Sequence, residues 1–260
     1  MSPGEWGPAN SDPASGLSLK YGVTSTITLE STLNPDFSQV ESDAFQNQVN
    51  NRFPVFFDEK RQFFMEGSGL FGVAGSGGDS NMRTAVHTRR IVDPNLGFKL
   101  TGTAGNTIFG FLSAADEAPG REFDGNDPNP YSGEKKLFNI GRAMYNFGPS
   151  SYVGGLVTDT RFGSGHNQVV GGDLTFRLDS RQRISATFLD SDTRSDNGEQ
   201  SKSGRAAQAT YNFDTLRFRT FAQVERYDEG FQMDTAFINR TGVTGVKSFT
   251  ELNFYPETSG

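Results

Sequence analysis

Cysteine is absent from this sequence, and so are long apolar runs. Without cysteine the chain can form neither a disulfide framework nor a thiolate zinc site. A transmembrane helix needs about 18 or more consecutive apolar residues, and no window of the sequence approaches that length. The net charge of −7 argues against a nucleic-acid partner. These absences exclude a disulfide-stapled domain and a helical membrane protein.

The second half of the chain alternates apolar and polar residues in short segments that end at turn residues. Around residue 174, for example, Val170, Leu174 and Phe176 share one parity, whereas Asp173 and Arg177 occupy the other. Repeated around a sheet, this pattern is typical of a transmembrane β-barrel, apolar towards lipid and polar towards the lumen. The sequence therefore predicts an all-β, antiparallel outer-membrane β-barrel. A soluble β-sandwich would also alternate, but the apolar parity here is rich in glycine, alanine and aromatic residues.

The predicted strands are joined by tight turns and long polar loops. The strands are predicted at 17–21, 27–33, 96–100, 108–114, 136–147, 152–161, 167–178, 183–190, 205–213, 216–227 and 245–255. Tight turns are expected at 148–150, 179–181 and 214–215, and long loops at 116–135, 191–204 and 228–244. Outer-membrane barrels have short periplasmic turns and longer extracellular loops. We therefore expect the long loops to lie outside the cell.

The strand positions predicted to face the lumen carry charges of both signs. These positions are Lys99, Thr101, Asp159, Arg161, Asp173, Arg177, Arg183, Gln208, Asn212, Arg217, Arg219, Gln223, Glu225, Lys247, Glu251 and Asn253. A selective pore would need a cluster of one charge sign, which this set lacks. The favoured interpretation is a hydrated lumen crossed by structural ion pairs, and a solute-selective lining is the alternative.

The ends of the sequence lack the signals of a complete exported barrel. Residues 1–16 have the composition of a linker, without the basic start and apolar core of a signal peptide. The last residues do not form the aromatic-terminated strand expected of bacterial barrels. We expect an internal fragment of a longer outer-membrane precursor, with residues 17–260 as the barrel domain.

Residues 34–92 interrupt the strand pattern with an irregular segment in which phenylalanine alternates with charge. A helix is predicted over 42–52, followed by a dense aromatic and charged block and a glycine-rich stretch. We interpret this segment as an insert that either plugs the lumen or braces the barrel on the periplasmic side. The candidate binding, lumen or plug residues are Asn34, Asp36, Gln39, Glu41, Arg52, Asp58, Glu59, Lys60, Arg61, Glu66, Arg89 and Arg90.

Three blocks of the insert resemble a known bacterial family. They read NPDFSQVE from Asn34, RFPVFFDEKRQFFMEG from Arg52 and HTRRIVDP from His87. The blocks and the strands around them, over roughly residues 16–255, are similar to the barrel region of proteins classed as domain of unknown function 5916. That resemblance implies an outer-membrane barrel, usually placed C-terminal to a family-9-type carbohydrate-binding domain. The sandwich domain is absent from this sequence, and Asp58 and Gln62 stand where many members have proline.

Three functions are compatible with these features. The first is a barrel that binds or takes up a glycan-derived substrate, and the second is a membrane anchor that displays a carbohydrate-binding domain. The third is a surface glycoside hydrolase that uses Asp58, Glu59 and Glu66, because glycoside hydrolysis needs two carboxyl groups flanking the bond. Since arginine and lysine alternate with these carboxylates, we expect structural ion pairs and no catalytic residues.

No cofactor or metal is expected. His87 and His166 are far apart in the sequence, and the acidic loop 124–129 contains two prolines and lacks the bidentate glutamate of a calcium-binding EF-hand. The expected partners are outer-membrane lipid and a glycan-derived solute. The sequence gives no prediction of the oligomeric state.

Overall fold

The structure, a computed structural model, describes residues 16–35, 55–73, 80–121, 129–196, 198 and 201–255. Several predictions lie outside the described residues: the linker up to residue 15, the helix at 42–52 and most of the acidic loop. The same is true of the candidate residues Asp36, Gln39, Glu41 and Arg52. Within the described part, no helix is long and apolar enough to cross a membrane.

Regular structure in the described residues is almost entirely β-strand. In chain order the strands are β1 (Leu17–Gly22), β2 (Ile27–Leu33), β3 (Met82–Thr84), β4 (Pro94–Ala104), β5 (Thr107–Asp116), β6 (Lys136–Gly148), β7 (Ser151–Phe162), β8 (Gly165–Arg177), β9 (Gln182–Arg194), β10 (Ser201–Asp214), β11 (Phe218–Tyr227), β12 (Phe237–Ile238) and β13 (Val243–Leu252). The helical pieces are α1 (Gln62–Met65) and three short 3₁₀ turns at Ser68–Phe71, Thr88–Arg90 and Ala118–Gly120.

Eleven of these strands form one meandering sheet. Their order is β1-β2-β4-β5-β6-β7-β8-β9-β10-β11-β13, and every neighbouring pair is antiparallel. The small strands β3 and β12 pair separately. The predicted all-β antiparallel fold is therefore confirmed. Among the described residues, β1 and β13 form the two open edges of the sheet.

The connections at the two ends of the sheet differ in length. At one end, which we call the turn end, short turns occupy 23–26, 105–106, 149–150, 178–181 and 215–217. The other end, which we call the loop end, carries the long connections 34–93, 117–135 and 228–242. The insert therefore leaves and re-enters the sheet at the same end as the long loops.

Two connections at the loop end are shorter than predicted. The strands β9 and β10 continue to Arg194 and from Ser201, so the predicted loop 191–204 contracts to 195–200. Residues there pair across the ladder instead of forming a loop, as Asp192 does with Ser203 and Thr193 with Lys202. The strands β7 and β8 are joined by a two-residue turn, in which Gly163 adopts a left-handed φ of 57°.

Over most of the sheet, the polarity of the faces is the reverse of that in a soluble protein. On the outer face Val170 is 58% exposed, and Leu17, at 68%, and Phe188, at 50%, are similar. On the inner face Asn167 and Gln223 are almost fully buried, at 1% and 2% exposed. Large apolar side chains on the outside and polar ones inside are the arrangement expected of a barrel wall in lipid.

Near the loop end this polarity changes, and two predicted lumen residues prove wrong. Asp159 and Arg161 share the parity of Val157, which is 55% exposed, and they lie on the outer face. There the Asp159 carboxylate accepts hydrogen bonds from Arg161 Nε and Gln168 Nε2, at 2.9 and 2.8 Å. The neighbouring inner positions on β7 are Thr158 and Thr160, which are at most 1% exposed, and Thr160 donates to the Asp234 carboxylate of the loop between β11 and β13. Charge alone therefore did not identify the inner face at this level.

Candidate functional site

The insert lies against the inner face of the sheet and buries an apolar core near the loop end. The insert contributes Phe64, Phe71, Val73, Met82, Ala85, Val86 and Ile91, and the sheet contributes Leu112, Ala114, Phe138, Ile140, Leu156, Val169, Leu189, Ala206 and Tyr227. The loop between β11 and β13 adds Phe231, Met233 and Ala236 to the same cluster. We call residues 55–73 and 80–93 the plug, because they occupy the interior of the curved sheet.

A buried lysine ties the plug to the first strands. Lys99 of β4 is 1% exposed, and its Nζ lies 2.9 Å from the Glu30 carboxylate of β2. The same ammonium donates to the backbone carbonyls of Phe63 and Glu66, at 2.5 and 2.8 Å. Glu66 in turn forms an ion pair with Lys20 of β1. A buried ammonium is tolerated only when paired and hydrogen bonded, so this cluster fixes residues 63–66 against the wall.

A second anchor holds the plug to the middle of the sheet. Arg142 of β6 makes two parallel hydrogen bonds to the Asp173 carboxylate of β8, at 2.6 and 2.9 Å. Its Nε donates to the Leu70 carbonyl at 2.9 Å. The arginine side chain is fully buried, and that of the aspartate is 5% exposed. Because Arg142 binds a carboxylate and a plug carbonyl at once, wall and plug depend on each other here.

A third anchor lies on the last strands. Asn81 Nδ2 donates to the Glu225 carboxylate of β11 at 2.9 Å, and Lys247 of β13 lies 3.2 Å from the same carboxylate. Ser80 is within hydrogen-bond distance of the Gln208 and Gln223 amides, at 3.3 and 3.2 Å. The plug therefore contacts strands near both open edges of the sheet and braces it from one side to the other.

Inside the plug, Arg61 organises the charged block predicted from the sequence. Its guanidinium pairs with the Glu59 carboxylate through two bonds of 2.8 Å and donates to the Ile91 and Thr88 carbonyls, at 2.7 and 2.9 Å. Burial would raise the pKa of the Glu59 carboxyl, but the bonds and charge of Arg61, with the hydroxyl of Thr88, outweigh it and lower the pKa to about 2. Glu59 is therefore a fixed anion at neutral pH.

The loop between β11 and β13 folds inward and closes over the plug at the loop end. Its strand β12 pairs with β3 of the plug, and the Thr235 carbonyl accepts a 2.7 Å hydrogen bond from the His87 amide. The Asp234 carboxylate lies 2.6 Å from Lys136 Nζ on β6 and accepts a hydrogen bond from Thr160. Plug and loop thus form one layer across the mouth.

Acid is expected to loosen this layer in two stages. Burial and the nearby Arg90 charge lower the pKa of His87 to about 4, so stability falls as pH drops from about 6.5, where the unfolded chain begins to bind the proton, towards 4. The stability from Glu59 is present above its unfolded pKa near 4.5 and is lost as pH falls towards 2. Hydrogen exchange of the plug amides across this range should show both stages. His87→Phe should remove the first and Glu59→Gln the second; a single stage in the unmodified chain would contradict this prediction.

The inner face nearer the turn end remains polar and partly open. A cavity of about 200 Å³ lies beside Gly72 of the plug, and its walls are formed mainly by hydroxyl and amide side chains of β7–β10. Lining residues include Thr175, Ser185, Thr210 and Asn212, with Arg183 as a cation. Below the apolar core, the interior can therefore hold water or a small polar solute.

The predicted candidate residues are divided between three places. Asp58, Glu59, Lys60, Arg61, Arg89 and Arg90 lie in the plug, where Arg89 donates to the Asp58 carbonyl and Arg90 to the Ala236 carbonyl, at 3.1 and 3.2 Å. Glu66 lies apart from them beside Lys20, and Asn34 directly follows β2, with its amide bonded to the Asn95 carbonyl. Among the described residues, no three histidine, aspartate or glutamate side chains are grouped as a metal site.

Sequence reasoning missed the partners that join plug and wall. Arg142 stood in a predicted strand but was not singled out, although it shares a parity with the apolar Phe138 and Ile140 and so had to be buried with a partner. Asn81 and Asp234 carried no usable signal, because their partners lie 144 and 98 residues away. Such pairings are set by the tertiary fold.

Comparison with known families gives a match for the N-terminal part of the chain. Residues 5–76 match the family model described as Domain of unknown function (DUF5916). The resemblance to DUF5916 is confirmed there. Two of the three resembling blocks, from Asn34 and from Arg52, fall within the match, and the third, from His87, lies beyond it. The position of this DUF5916 region after a carbohydrate-binding domain stays a prediction.

Among solved structures, the chain is similar to OmpT (in-vitro folded), an outer membrane protein of Vibrio cholerae. The sequence identity is 7% and the TM-score 0.45, and the alignment covers 90% of this chain and 62% of that chain. Among curated proteins, none matches the chain significantly. The function of this chain is therefore inferred from its own geometry.

Proposed function

We propose that this chain forms the wall of an outer-membrane β-barrel whose interior is closed at the loop end by its own plug, so that its resting role is that of a membrane anchor. The observation that carries this proposal is the reversed polarity of the sheet. Apolar side chains such as Val170 and Phe188 are half exposed or more on the outer face. In water such a surface would be an association hazard, whereas in a bilayer it is the stable arrangement.

The height of the apolar band supports this proposal. On β8 the outer face is apolar from Val170 to Phe176, continuing to Leu178 in the turn, and becomes polar at Gln168 and His166. The strand advances about 3.3 Å per residue. At a tilt of about 40°, the eight residue steps from Val170 to Leu178 therefore span about 20 Å along the membrane normal, close to the roughly 25 Å apolar band of outer-membrane barrels. Beyond the band, charged outer residues and an apolar inner core have the polarity of a protein in water.

The boundary of the band also moves along the strands as a tilted barrel requires. On β8 the apolar band ends just past Val170. On the neighbouring strand β9, the residue paired with Val170 is already charged, namely Asp190. On β10 the charged Arg205 lies opposite Asp190, and on β11 the first charged outer residue is Arg226, opposite Ala207. Strands tilted by about 35–45° cross a flat membrane surface at shifted register positions, which accounts for this stepwise displacement.

Once the sheet is closed in the bilayer, the plug predicts a silent channel. In planar lipid bilayers the unmodified chain should give no steady conductance, because plug and loop together cross the loop-end mouth. Removing the first anchor as a pair, with Glu30→Gln and Lys99→Met, should produce conducting events. The exposed Lys202 at the loop end provides a control, and Lys202→Met should stay silent. A steady current from the unmodified chain would rule out the closed-anchor proposal.

A second candidate is gated uptake of a polar, glycan-derived solute at the cell surface. The polar cavity below the plug supports this alternative, since hydroxyl and amide groups suit an uncharged, hydrogen-bonding ligand. It requires the plug of the unmodified chain to move, so conductance of the unmodified chain that appears only when a soluble oligosaccharide is added would be its signature.

The glycoside-hydrolase alternative receives less support from the geometry. A general acid must hold a proton near the working pH, whereas the pKa of Glu59 is about 2. Glu66 is occupied by Lys20, so two of the three proposed carboxylates are committed to cations.

A further inference from the structure

We propose that the polar cavity beside Gly72 binds a polyhydroxy carboxylate of the size of one sugar ring, with its carboxylate on Arg183 and its hydroxyl groups on side chains of β9 and β10. This inference rests on the proposed function, because it names a ligand class for the cavity of the uptake candidate. It goes beyond that candidate in one respect: the ligand carries a negative charge as well as hydroxyl groups.

The charges that line the cavity leave one cation without a counter-ion. The two charged side chains in its wall are Asp173 and Arg183. The Asp173 carboxylate is already balanced by Arg142, from which it accepts bonds of 2.6 and 2.9 Å. Arg183 forms no ion pair or side-chain hydrogen bond with any described residue. By contrast, Lys99 and Lys247 of the inner face lie 2.9 and 3.2 Å from carboxylates.

A second arginine lies directly opposite Arg183. The register of the sheet pairs Arg183 of β9 with Arg177 of β8, and like charges facing each other across two strands are destabilising. The Arg177 guanidinium donates to neutral oxygens, namely the Asp179 and Ser180 carbonyls, both at 3.2 Å, and the Ser150 hydroxyl at 3.4 Å. Its charge therefore adds to the positive potential at Arg183, and a bound anion would relieve the repulsion.

Hydroxyl and amide groups without protein partners lie beside Arg183. On β10 the residue paired with Arg183 is Asn212, and the next inner pair along these two strands is Ser185 with Thr210. Within the described part of the chain, the side chains of Asn212 and Thr210 form no hydrogen bond, although Thr210 is only 6% exposed. Since buried polar groups are nearly always hydrogen bonded, these side chains are suited to bind water or a ligand in the cavity.

The spacing of these side chains limits the size of the ligand. Successive inner residues of one strand are about 7 Å apart, and neighbouring strands are about 5 Å apart. The two cross-strand pairs therefore form a patch of the width of one sugar ring. The cavity of about 200 Å³ has room for several water molecules, each of which occupies about 30 Å³ in the liquid, and so for one such ring.

The number of available cations favours a carboxylate over a phosphate. Arg183 is the one cation in the cavity wall without a counter-ion, because the donors of Arg177 are bound to carbonyl and hydroxyl oxygens. A carboxylate carries a single charge and matches the two-pronged geometry of a guanidinium. A phosphate monoester carries a charge of about −1.5 to −2 at neutral pH, which one guanidinium does not balance. The ligand class is therefore that of a uronic acid.

Binding of glucuronate tests this site. Glucose is the neutral ligand with the same ring, and glucose-6-phosphate is the more highly charged one. The chain is refolded into detergent micelles, and binding is measured by isothermal titration calorimetry. Because only glucuronate can form the charge-assisted pair with Arg183, we expect it to bind at least about tenfold more tightly than glucose.

Variants assign the preference to individual side chains. Arg183→Met should abolish the preference for glucuronate. The matched control is Arg181→Met, which removes an exposed guanidinium from the β8–β9 turn outside the cavity wall and should keep the preference. Thr210→Val should weaken the binding of both sugars by a similar factor, and it tests the site even if Arg183→Met does not fold.

Several results would overturn the inference: no glucuronate binding, equal binding of glucuronate and glucose, a preference that survives Arg183→Met, or tighter binding of glucose-6-phosphate. Unchanged binding in Thr210→Val would do the same. Flotation with lipid vesicles, measured in parallel, tests the proposed membrane location separately. A chain that prefers glucuronate but does not float disproves the location alone, and one that floats without the preference disproves the site alone.

Discussion

Arg142→Met is expected to lower the free energy of unfolding by about 3–5 kcal/mol, the cost of leaving a buried charge without its partner. The Asp173 side chain is 5% exposed and would lose both bonds to the guanidinium. The Leu70 carbonyl would also lose its donor, which releases the plug from the middle of the sheet. Urea unfolding in lipid vesicles, followed by circular dichroism, measures the loss.

Two further variants distinguish a buried pair from a general effect of removing arginine. Arg205 forms a 3.0 Å ion pair with Asp190, but both side chains are largely exposed on the outer face. Arg205→Met should therefore cost no more than about 1 kcal/mol. Adding Asp173→Leu to Arg142→Met should recover most of the loss, because apolar replacement of both partners removes the unpaired charge. Equal losses for Arg142→Met and Arg205→Met would be incompatible with the anchor.

The parts of the fold that follow from local alternation were predictable. The predicted strand 167–178 is observed at Gly165–Arg177, with Val170, Leu174 and Phe176 on the outer face as expected. The dense charge of the insert also pointed correctly to internal pairing, as in Glu59 with Arg61. Both are near-neighbour effects: side chains two residues apart share a strand face, and adjacent opposite charges need little chain to meet.

The parts that depend on distant contacts were not predictable. Asp159 and Arg161 were assigned to the lumen by charge, but the inner positions beside them are the buried Thr158 and Thr160, the second of which bonds to the inward-folded loop, and the charged residues lie outward. The strands β9 and β10 likewise extend through a stretch that was predicted as a loop. A residue's face depends on what lies on each side of the sheet, and that is set by a segment up to 150 residues away.

Gly204→Ala is expected to lift the inward-folded loop 228–242 from the mouth of the sheet. Gly204 lies on the inner face of β10, directly beneath the loop backbone. A Cβ atom there would approach the Gly230 carbonyl carbon and Phe231 Cα to 2.6 Å. Backbone atoms cannot swing aside as a side-chain end can, so the loop must move. Overpacking of this kind costs about 1–3 kcal/mol.

Hydrogen exchange reports this displacement directly. The His87 and Asn239 amides are bonded to the Thr235 and Asn81 carbonyls across the plug–loop contact. Since 1.4 kcal/mol corresponds to about a tenfold change in an equilibrium constant, these two amides should exchange about tenfold faster in Gly204→Ala. Gly141 on β6 is the matched control, because a Cβ there meets nothing within 4 Å, and Gly141→Ala should leave exchange unchanged. If both amides exchange equally slowly in the two variants, the loop does not pack against Gly204, and the mouth is closed by the plug alone.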